Sequence, residues 1–412
     1  MATKNPSHPE AVAFAEAAAR IRRLLASEDL GFIASAMSHW HALGVDAWVG
    51  NLRAAGDRRK GVVLLLPHTR DGLVTAAKDL PLCRQDGDVE IIPVDRIVVG
   101  GGRGGLAAMI RVGLRLIRLW LTRPGRPSRR RRDVLWLASA KDAAAAVFTL
   151  AEIASCPRVK GREVRLVVFD EGLGTYTSQA DWRYARRLDR SAKGRIVSHG
   201  WLDRLLYGTW QWVQARIAAG YRMEGRRVFL QDEATGLLAP NTPVVADYQR
   251  AMRVGAGEID LRRRDRPIAL IVPQPWSEYE QVSRADEVGL TARAVEVLVE
   301  GGWDVRLKPH PRETAGKYDA VMAPSPERVE VLAGDCAVER IFGSMRAGDV
   351  VVGLNSTSLL IASLVYGLET YTIGRDLIRR AKTGEWFQAG HRVFERLAGD
   401  SVAEFGRRFG ID

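Results

Sequence analysis

Short apolar runs alternate with amphipathic and polar stretches along most of the chain. GVVLLLP (61–67), VEIIPV (89–94), DVLWLAS (133–139) and VRLVVF (164–169) are each bounded by turn residues and read as buried strands. LGFIAS predicts a further strand. Residues 10–26, rich in alanine with Ile21, Leu24 and Leu25, predict a helix, and HWHALGV reads as the start of another. Helical stretches such as GLVTAAKDL lie between some of the strands. This alternation predicts βαβ units and a mostly parallel sheet. Residues 196–230, rich in Trp, Tyr and Arg, read as helical packing around Trp201, Trp210 and Trp212, with an acceptor-binding wall as the alternative.

A second α/β region begins after LRRRDRP (261–267). IALIVPQPW reads as a strand entering a proline-rich loop, EVGLTARAVEVLVEGG as a helix closed by glycines, and WDVRLKPHPRE as a strand and loop. VERIFGS and DVVVGLNSTSLLIASLVYG read as two more strand–loop units, the latter continuing into a helix. A chain of 412 residues is too long for one ordinary core. The simplest architecture is α/β, with two Rossmann-like domains facing a central cleft: an N-terminal domain over 1–260, a C-terminal domain over 261–380, and a helical segment over 381–412.

Three polar clusters fall at predicted strand ends. The first is VRLVVFDEGLGTYTS (164–178), where a buried strand stops at Asp170-Glu171 and the chain breaks at Gly172 and Gly174. Carboxylates are seldom buried, so the strand ends where water or a ligand begins. An acidic, solvated turn is the plain reading. An acid/base site at the C-terminal edge of a parallel sheet is the functional one, since open α/β sheets place ligands there. The second cluster is RLKPHPRE, with Lys308, His310, Arg312 and Glu313 around two prolines. Pro309 and Pro311 stiffen the loop and fix the direction of His310, which suits an anion and proton transfer near neutral pH. The third is Asn355-Ser356-Thr357-Ser358, between Val350-Val351-Val352-Gly353 and the helix from Leu359. Such residues cap a helix, and a helix N-terminus also binds phosphate. Capping needs only one of the four. A carboxylate, a histidine and a phosphate grip together equip a protein for transfer from an activated, phosphate-linked donor to a hydroxyl.

Charge adds a partner. The net charge is +12, which calls for an anionic surface or substrate. No acidic residue lies between Asp95 and Asp133. That interval contains GGRGGLAAMIRVGLRLIRLWLTRPGRPSRRRR (101–132), in which Arg111, Arg115 and Arg118 share a helical face and Arg129, Arg130, Arg131 and Arg132 form a run. An amphipathic anchor for anionic lipid and a core-packed helix with a solvated basic loop are the two readings. Nucleic acid is not expected, because no stacking array or binding motif accompanies the charge. Cys83, Cys156 and Cys336 are scattered, which argues against a disulfide framework or CxxC metal site and suits a reducing cytosol. The N-terminal residues lack a secretory pattern, and no apolar run is long enough to span a bilayer.

DEGLGTYT, KPHPRE and NSTSLL, in that order, resemble the acidic-acidic-Gly, His-Pro and Ser/Thr-rich motifs of bacterial sialyltransferases of the lipooligosaccharide sialyltransferase and capsular polysialyltransferase type. FIASAMSHWHAL bears a weaker resemblance to that family's first strand and helix, although SAMSHWHAL departs from the usual opening. His39 and His41 there are expected to be structural. The resemblance spans roughly residues 30–380. It implies a GT-B-like fold, a CMP-activated sialic or related nonulosonic acid donor, transfer with inversion to a glycan or lipid-linked glycan acceptor, and no cofactor or metal. It makes Glu171 the general base, with Asp170 the runner-up, and His310 the contact that assists departure of the donor phosphate. Ser356, Thr357 and Ser358 would hold that phosphate, with Lys308, Pro311 and Asn355 lining the donor site. Glu327, in PSPERVE, would meet the nucleotide ribose or base, with a solvated position on a helix as the alternative. Gly172, Gly174 and Thr175 would lie on the acceptor side. The setting implied is the synthesis of bacterial surface polysaccharide at the inner face of the inner membrane. The alternatives are a related transferase using CMP-Kdo or a UDP-sugar, and a non-enzymatic basic protein that binds membrane surfaces.

Overall fold

The computed structural model describes residues 14–25, 29–36, 38–66, 80–94, 134–140, 163–170, 172–176, 222–254, 265–332, 337–380 and 385–410. Two compact units share the chain. One comprises residues 1–171, 199–227 and 246–251. The other comprises residues 172–198, 228–245 and 252–412.

The first unit carries α1 (Phe14–Leu25), β1 (Leu30–Ala36), α2 (His39–Ala54), β2 (Lys60–Leu65), α3 (Pro81–Gln85), β3 (Val89–Pro93), β4 (Val134–Ala140), β5 (Glu163–Phe169) and β6 (Arg222–Arg226). Its strands form one parallel sheet in the order β3-β2-β1-β4-β5-β6. β1 is buried along its whole length and β2 beyond its first residue. This is why they read as unbroken apolar runs rather than alternating ones. One side chain gathers three strands: the Trp48 ring, on α2, meets Phe32, Trp136 and Phe169 edge-on at 5.3, 6.2 and 6.4 Å. Gly61 is required by that core, because a Cβ there would lie 1.9 Å from the Phe32 ring. Asp46, fully buried on α2, accepts the N–H groups of Leu82 and Cys83 at 3.2 and 2.9 Å, satisfying the open start of α3.

The second unit holds an antiparallel hairpin, β7 (Phe229–Gln231) with β8 (Leu238–Pro240). α4 (Thr242–Val254) follows, with residues 246–251 grouped in the first unit. Then come β9 (Ile268–Val272), α5 (Arg284–Glu300), β10 (Asp304–Leu307), β11 (Val329–Val331), β12 (Val350–Gly353), α6 (Thr357–Leu360), β13 (Glu369–Thr372), α7 (Gly374–Arg380), α8 (Glu385–Ala398), β14 (Ala403–Glu404) and α9 (Phe405–Phe409). The sheet is again parallel, in the order β11-β10-β9-β12-β13-β14. Both sheets therefore run third, second, first, fourth, fifth, sixth, which is the doubly wound Rossmann order. The fold is α/β with two Rossmann-type domains, the pair that a GT-B-like chain requires.

Several elements differ from the expectations. Part of the stretch 196–230 expected to be helical forms β6 and β7. β6 reads RMEGR and lies at a sheet edge, where no continuous apolar run is needed. VERIFGS is not a strand–loop unit: Val338–Phe342 is a short helix, its apolar residues spaced as i, i+3 and i+4. Residues 385–410, within the helical segment expected over 381–412, pack into the second unit. Phe387 and Phe405 sit in its core, and Phe387 packs 4.7 Å from the Trp276 ring. The boundary at 260/261 falls between the strands of the two large sheets, while the compact units alternate along the chain between residues 171 and 252.

Candidate functional site

In the second sheet the strand order reverses between β9 and β12, the place where doubly wound sheets hold ligands at the C-terminal ends of their strands. The loops that leave β10 and β12 start on either side of β9, roughly 10 Å apart at ordinary strand spacing. The first of these loops carries Lys308 to Glu313, and the second carries Asn355 to Ser358. Two of the three polar clusters thus share one sheet edge.

The third cluster is tied to them by its glycine half. Gly172–Tyr176 belongs to the second unit and forms a short 3-10 turn. The Leu173 N–H donates to Thr357 Oγ1 over 2.8 Å. Gly172 adopts φ +95°, and a Cβ there would lie 2.7 Å from Thr357 Oγ1, so both its backbone and its neighbour demand glycine. Tyr176 anchors the other end of the turn by accepting the Phe229 N–H at 3.0 Å. Thr175 closes the turn through its N–H to the Gly172 carbonyl, and Gly174 lies within it.

The four polar side chains before α6 divide by duty. Ser356 is the N-cap and accepts the Ser358 N–H at 3.1 Å. Thr357 accepts from Leu173. A hydroxyl that accepts still has its own proton to donate, so Ser356 and Thr357 each retain a donor for an anion. Ser358 instead donates its hydroxyl to Glu339 at 3.1 Å. Asn355 is buried, and its Oδ1 has no hydrogen-bond partner among the described residues.

His310 is half-buried. Its Nδ1 accepts the Arg312 N–H at 3.2 Å, which places the ring proton on Nε2. Its own backbone N–H donates to Glu313 Oε2 at 2.7 Å. Lys308 is buried, and Pro311 is exposed in the turn. Beneath this loop Lys317 Nζ lies 2.9 Å from Glu278, 2.6 Å from Glu287 and 2.9 Å from Glu313. One carboxylate oxygen from each of these acids lies within 4.8 Å of the others, a spacing suited to a cation, and the Lys317 ammonium supplies one. Burial pushes the Glu313 carboxyl up despite the Tyr318 hydroxyl and Lys317. Burial acts on Glu278 in the same sense, but Lys317 and the Thr314 N–H outweigh it and lower that carboxyl to about 2. Glu313 belongs to the second polar cluster, but nothing in the sequence pattern marks Glu278, Glu287 or Lys317, and the four are spread over the 39 positions between Glu278 and Lys317.

In the first unit, Asp170 ends β5 with 1% exposure, and the Trp40 indole N–H donates to its Oδ1. The Trp40 ring packs 4.9 Å from that of Tyr248. Burial, and then the Asp170 charge, push the Tyr248 phenol well above its ordinary value. Trp40 and Tyr248 were not singled out from the sequence, although Trp40 lies in the SHWHAL segment between His39 and His41. His41 is buried on α2, and its backbone N–H receives the Ser38 cap.

Other candidates lie elsewhere. Glu327 is exposed in the turn that enters β11, at the N-terminal edge of the second sheet and so opposite the His310 and Ser356 loops. Glu171 and the segment containing Arg111, Arg115, Arg118, Arg129, Arg130, Arg131 and Arg132 fall outside the described residues. No helix among the described residues is long and apolar enough to cross a membrane.

Two Rossmann-type domains, with polar clusters at the strand ends, define a glycosyltransferase-like α/β protein. The family model for alpha-2,8-polysialyltransferase matches residues 158–375, more than half of the chain and all three motifs. The protein belongs to the alpha-2,8-polysialyltransferase family, and is a glycosyltransferase of the sialyl-transfer type. No curated protein sequence matches it. Among solved structures it is similar to the alpha/beta-galactoside alpha-2,3-sialyltransferase of Photobacterium phosphoreum (11% identity, 92% of this chain and 98% of that one, TM-score 0.41). It is also similar to the 2,6-sialyltransferase of Photobacterium sp. JT-ISH-224, solved with CMP and lactose (9%, 91% and 78%, 0.44). A third similarity is to the kitacinnamycin glycotransferase (12%, 90% and 95%, 0.44). The assignment rests on the family match.

Proposed function

We propose that the protein catalyses inverting, metal-independent transfer of a sialic acid or related nonulosonic acid. The donor is CMP-activated, and the acceptor is a glycan hydroxyl in bacterial surface polysaccharide or lipooligosaccharide. The observation that carries this reading is the Leu173–Thr357 hydrogen bond, which ties the turn after the acidic pair to the Ser/Thr motif, on the sheet edge that also bears His310. The acidic pair Asp170–Glu171 supplies the base that takes the acceptor hydroxyl's proton. As the bond from the sugar to the phosphate breaks, charge grows on the CMP phosphate oxygens. The Ser356 and Thr357 hydroxyls and the His310 Nε2–H donate to those oxygens, and Lys308 adds positive charge to the same loop.

The test is release of CMP from CMP-N-acetylneuraminic acid in the presence of oligosialic acid, with Asp170→Asn, Glu171→Gln and His310→Ala run in parallel. Loss of turnover in His310→Ala and in one of the acid variants, with each protein still folded, is the expected result and assigns the base. Near-normal turnover in all three would remove the mechanism. Thermal protection by UDP but not CMP would move the donor to a UDP-sugar. The basic segment is proposed to rest on anionic lipid at the inner face of the inner membrane. Flotation with phosphatidylglycerol vesicles that survives removal of the Arg111, Arg115, Arg118 and Arg129–Arg132 charges would reject that part.

A further inference from the structure

His310 sits in a turn whose geometry is set from below. Its backbone N–H and the buried network meet at one carboxylate. Glu313 Oε2 accepts from His310 N at 2.7 Å, while Oε1 accepts from Lys317 Nζ at 2.9 Å and from the Tyr318 hydroxyl at 2.6 Å. The Glu313 and Lys317 side chains are 0% and 1% exposed, so water does not compete for these bonds. The Lys317 ammonium also reaches Glu278, in the loop after β9, and Glu287, on α5. Glu287 in turn accepts the Trp276 and Ser277 N–H groups at 3.3 and 3.1 Å, and Glu278 accepts the Thr314 N–H at 3.1 Å. Arg312 donates to the Tyr279 hydroxyl at 2.5 Å. The loops after β9 and β10 are therefore stapled together around a single cation, and the turn that holds the His310 ring is one arm of the staple.

We propose that Glu313 and Lys317 are positioning residues for His310: they fix the 310–313 turn so that the Arg312 N–H meets Nδ1 and the ring is held as the Nε2–H tautomer. Turning His310 so that Nδ1 carried the proton would set two donors against each other at Arg312. Glu313 is suited to the task because it accepts every bond made to it. Glutamine there offers one accepting oxygen and an NH2 group, for a site with three facing donors. This inference rests on the reading of His310 as the donor-phosphate contact and adds to it the residues that orient the ring.

The experiment uses the full chain carrying Glu313→Gln, with Tyr318→Phe as the milder variant that deletes one donor and keeps the carboxylate. Circular dichroism and thermal melts establish folding. Steady-state kinetics with CMP-N-acetylneuraminic acid then separate kcat from KM. A positioning role predicts a fall in kcat of about 100-fold for Glu313→Gln, the scale of a misplaced reacting group. A smaller fall is expected for Tyr318→Phe, with KM and the Kd for CMP unchanged in both. A folded Glu313→Gln with wild-type kcat, or one that loses only KM, overturns the proposal. If Glu313→Gln does not fold, Tyr318→Phe decides by the same split. The second readout is 15N NMR of labelled histidine, with the His310 signals identified by their absence in His310→Asn. The wild type should show an unprotonated Nδ1, and the variants a mixture of tautomers. A protonated Nδ1 in the wild type overturns the proposal. This readout needs no turnover: a protein that neither binds CMP nor consumes the donor would sink the transfer reading while the ring tautomer still decided the positioning role.

Discussion

Leu173 and Thr357, 184 positions apart in sequence, are joined by a 2.8 Å hydrogen bond from the Leu173 N–H to the Thr357 hydroxyl. Leu173 follows the acidic pair by two positions, and Thr357 opens the helix after β12. One contact thus connects two motifs that the chain separates by most of a domain.

That contact is testable alone. Thr357→Val keeps the shape and removes the acceptor, and is expected to cost about 1–3 kcal/mol because a part-buried N–H loses its partner. Gly172→Ala adds strain of about 1–3 kcal/mol at φ +95° and ψ −149°, a region essentially reserved for glycine, and drives a Cβ against the same hydroxyl. The two changes should be non-additive in a double-mutant cycle followed by urea denaturation, since both act on the one contact between the Gly172–Leu173 turn and the Thr357 side chain.

Trp40 holds Asp170 in place. Trp40→Phe retains the ring packing on Tyr248 and deletes the donor, leaving a carboxylate of 1% exposure short of a bond. A loss of about 1–3 kcal/mol in chemical denaturation is expected, together with lower turnover whether Asp170 is the base or the neighbour that orients it. Turnover equal to wild type would show that the indole contributes to stability only.

Glu278 gives a pH signature. Its carboxyl is held at about 2, against an ordinary 4.5, because Lys317 and the Thr314 N–H together outweigh the effect of burial. A depressed acid stabilises the fold fully above pH 4.5, and that stability drains away as pH falls toward 2. Glu313 has the opposite sign. Burial raises its carboxyl, so its contribution is largest when protonated and declines as pH rises through its folded value. Urea titrations at a series of pH values should show a shallower acid limb for Glu278→Gln than for wild type between pH 4.5 and 2.

Phe387 tests whether the C-terminal helices belong to the second core. It is fully buried and packs on Trp276. Phe387→Ala is expected to cost about 3–5 kcal/mol and to lower the thermal midpoint. A separate helical appendage would lose almost nothing.

Much of the fold was legible because buried parallel strands advertise themselves. β2, β9 and β12 are apolar runs closed by turn residues, and their alternation with helices implied two parallel sheets. β6, β11 and β14 were not legible. They are short or polar and lie at or toward the sheet edges, where a strand needs no apolar pattern of its own. The helix Val338–Phe342 was misread because five residues hold too little of a 3.6-residue period to be told from a strand.

At the site, the residue types and their order could be read along the chain: an acidic pair before glycine, a histidine between prolines, and hydroxyls before a helix. Those are local facts of composition and backbone stiffness. Which of them meet depends on how the chain folds. Strand direction put His310 and Ser356 on one edge of the second sheet and Glu327 on the other. Long-range hydrogen bonds separated Thr357, which keeps a proton to donate, from Ser358, which spends its own on Glu339. The Lys317 network joins carboxylates drawn from two loops and a helix. Such a network leaves no periodic trace, because a buried charge is compensated by whatever side chains the fold brings to it, at whatever distance along the chain.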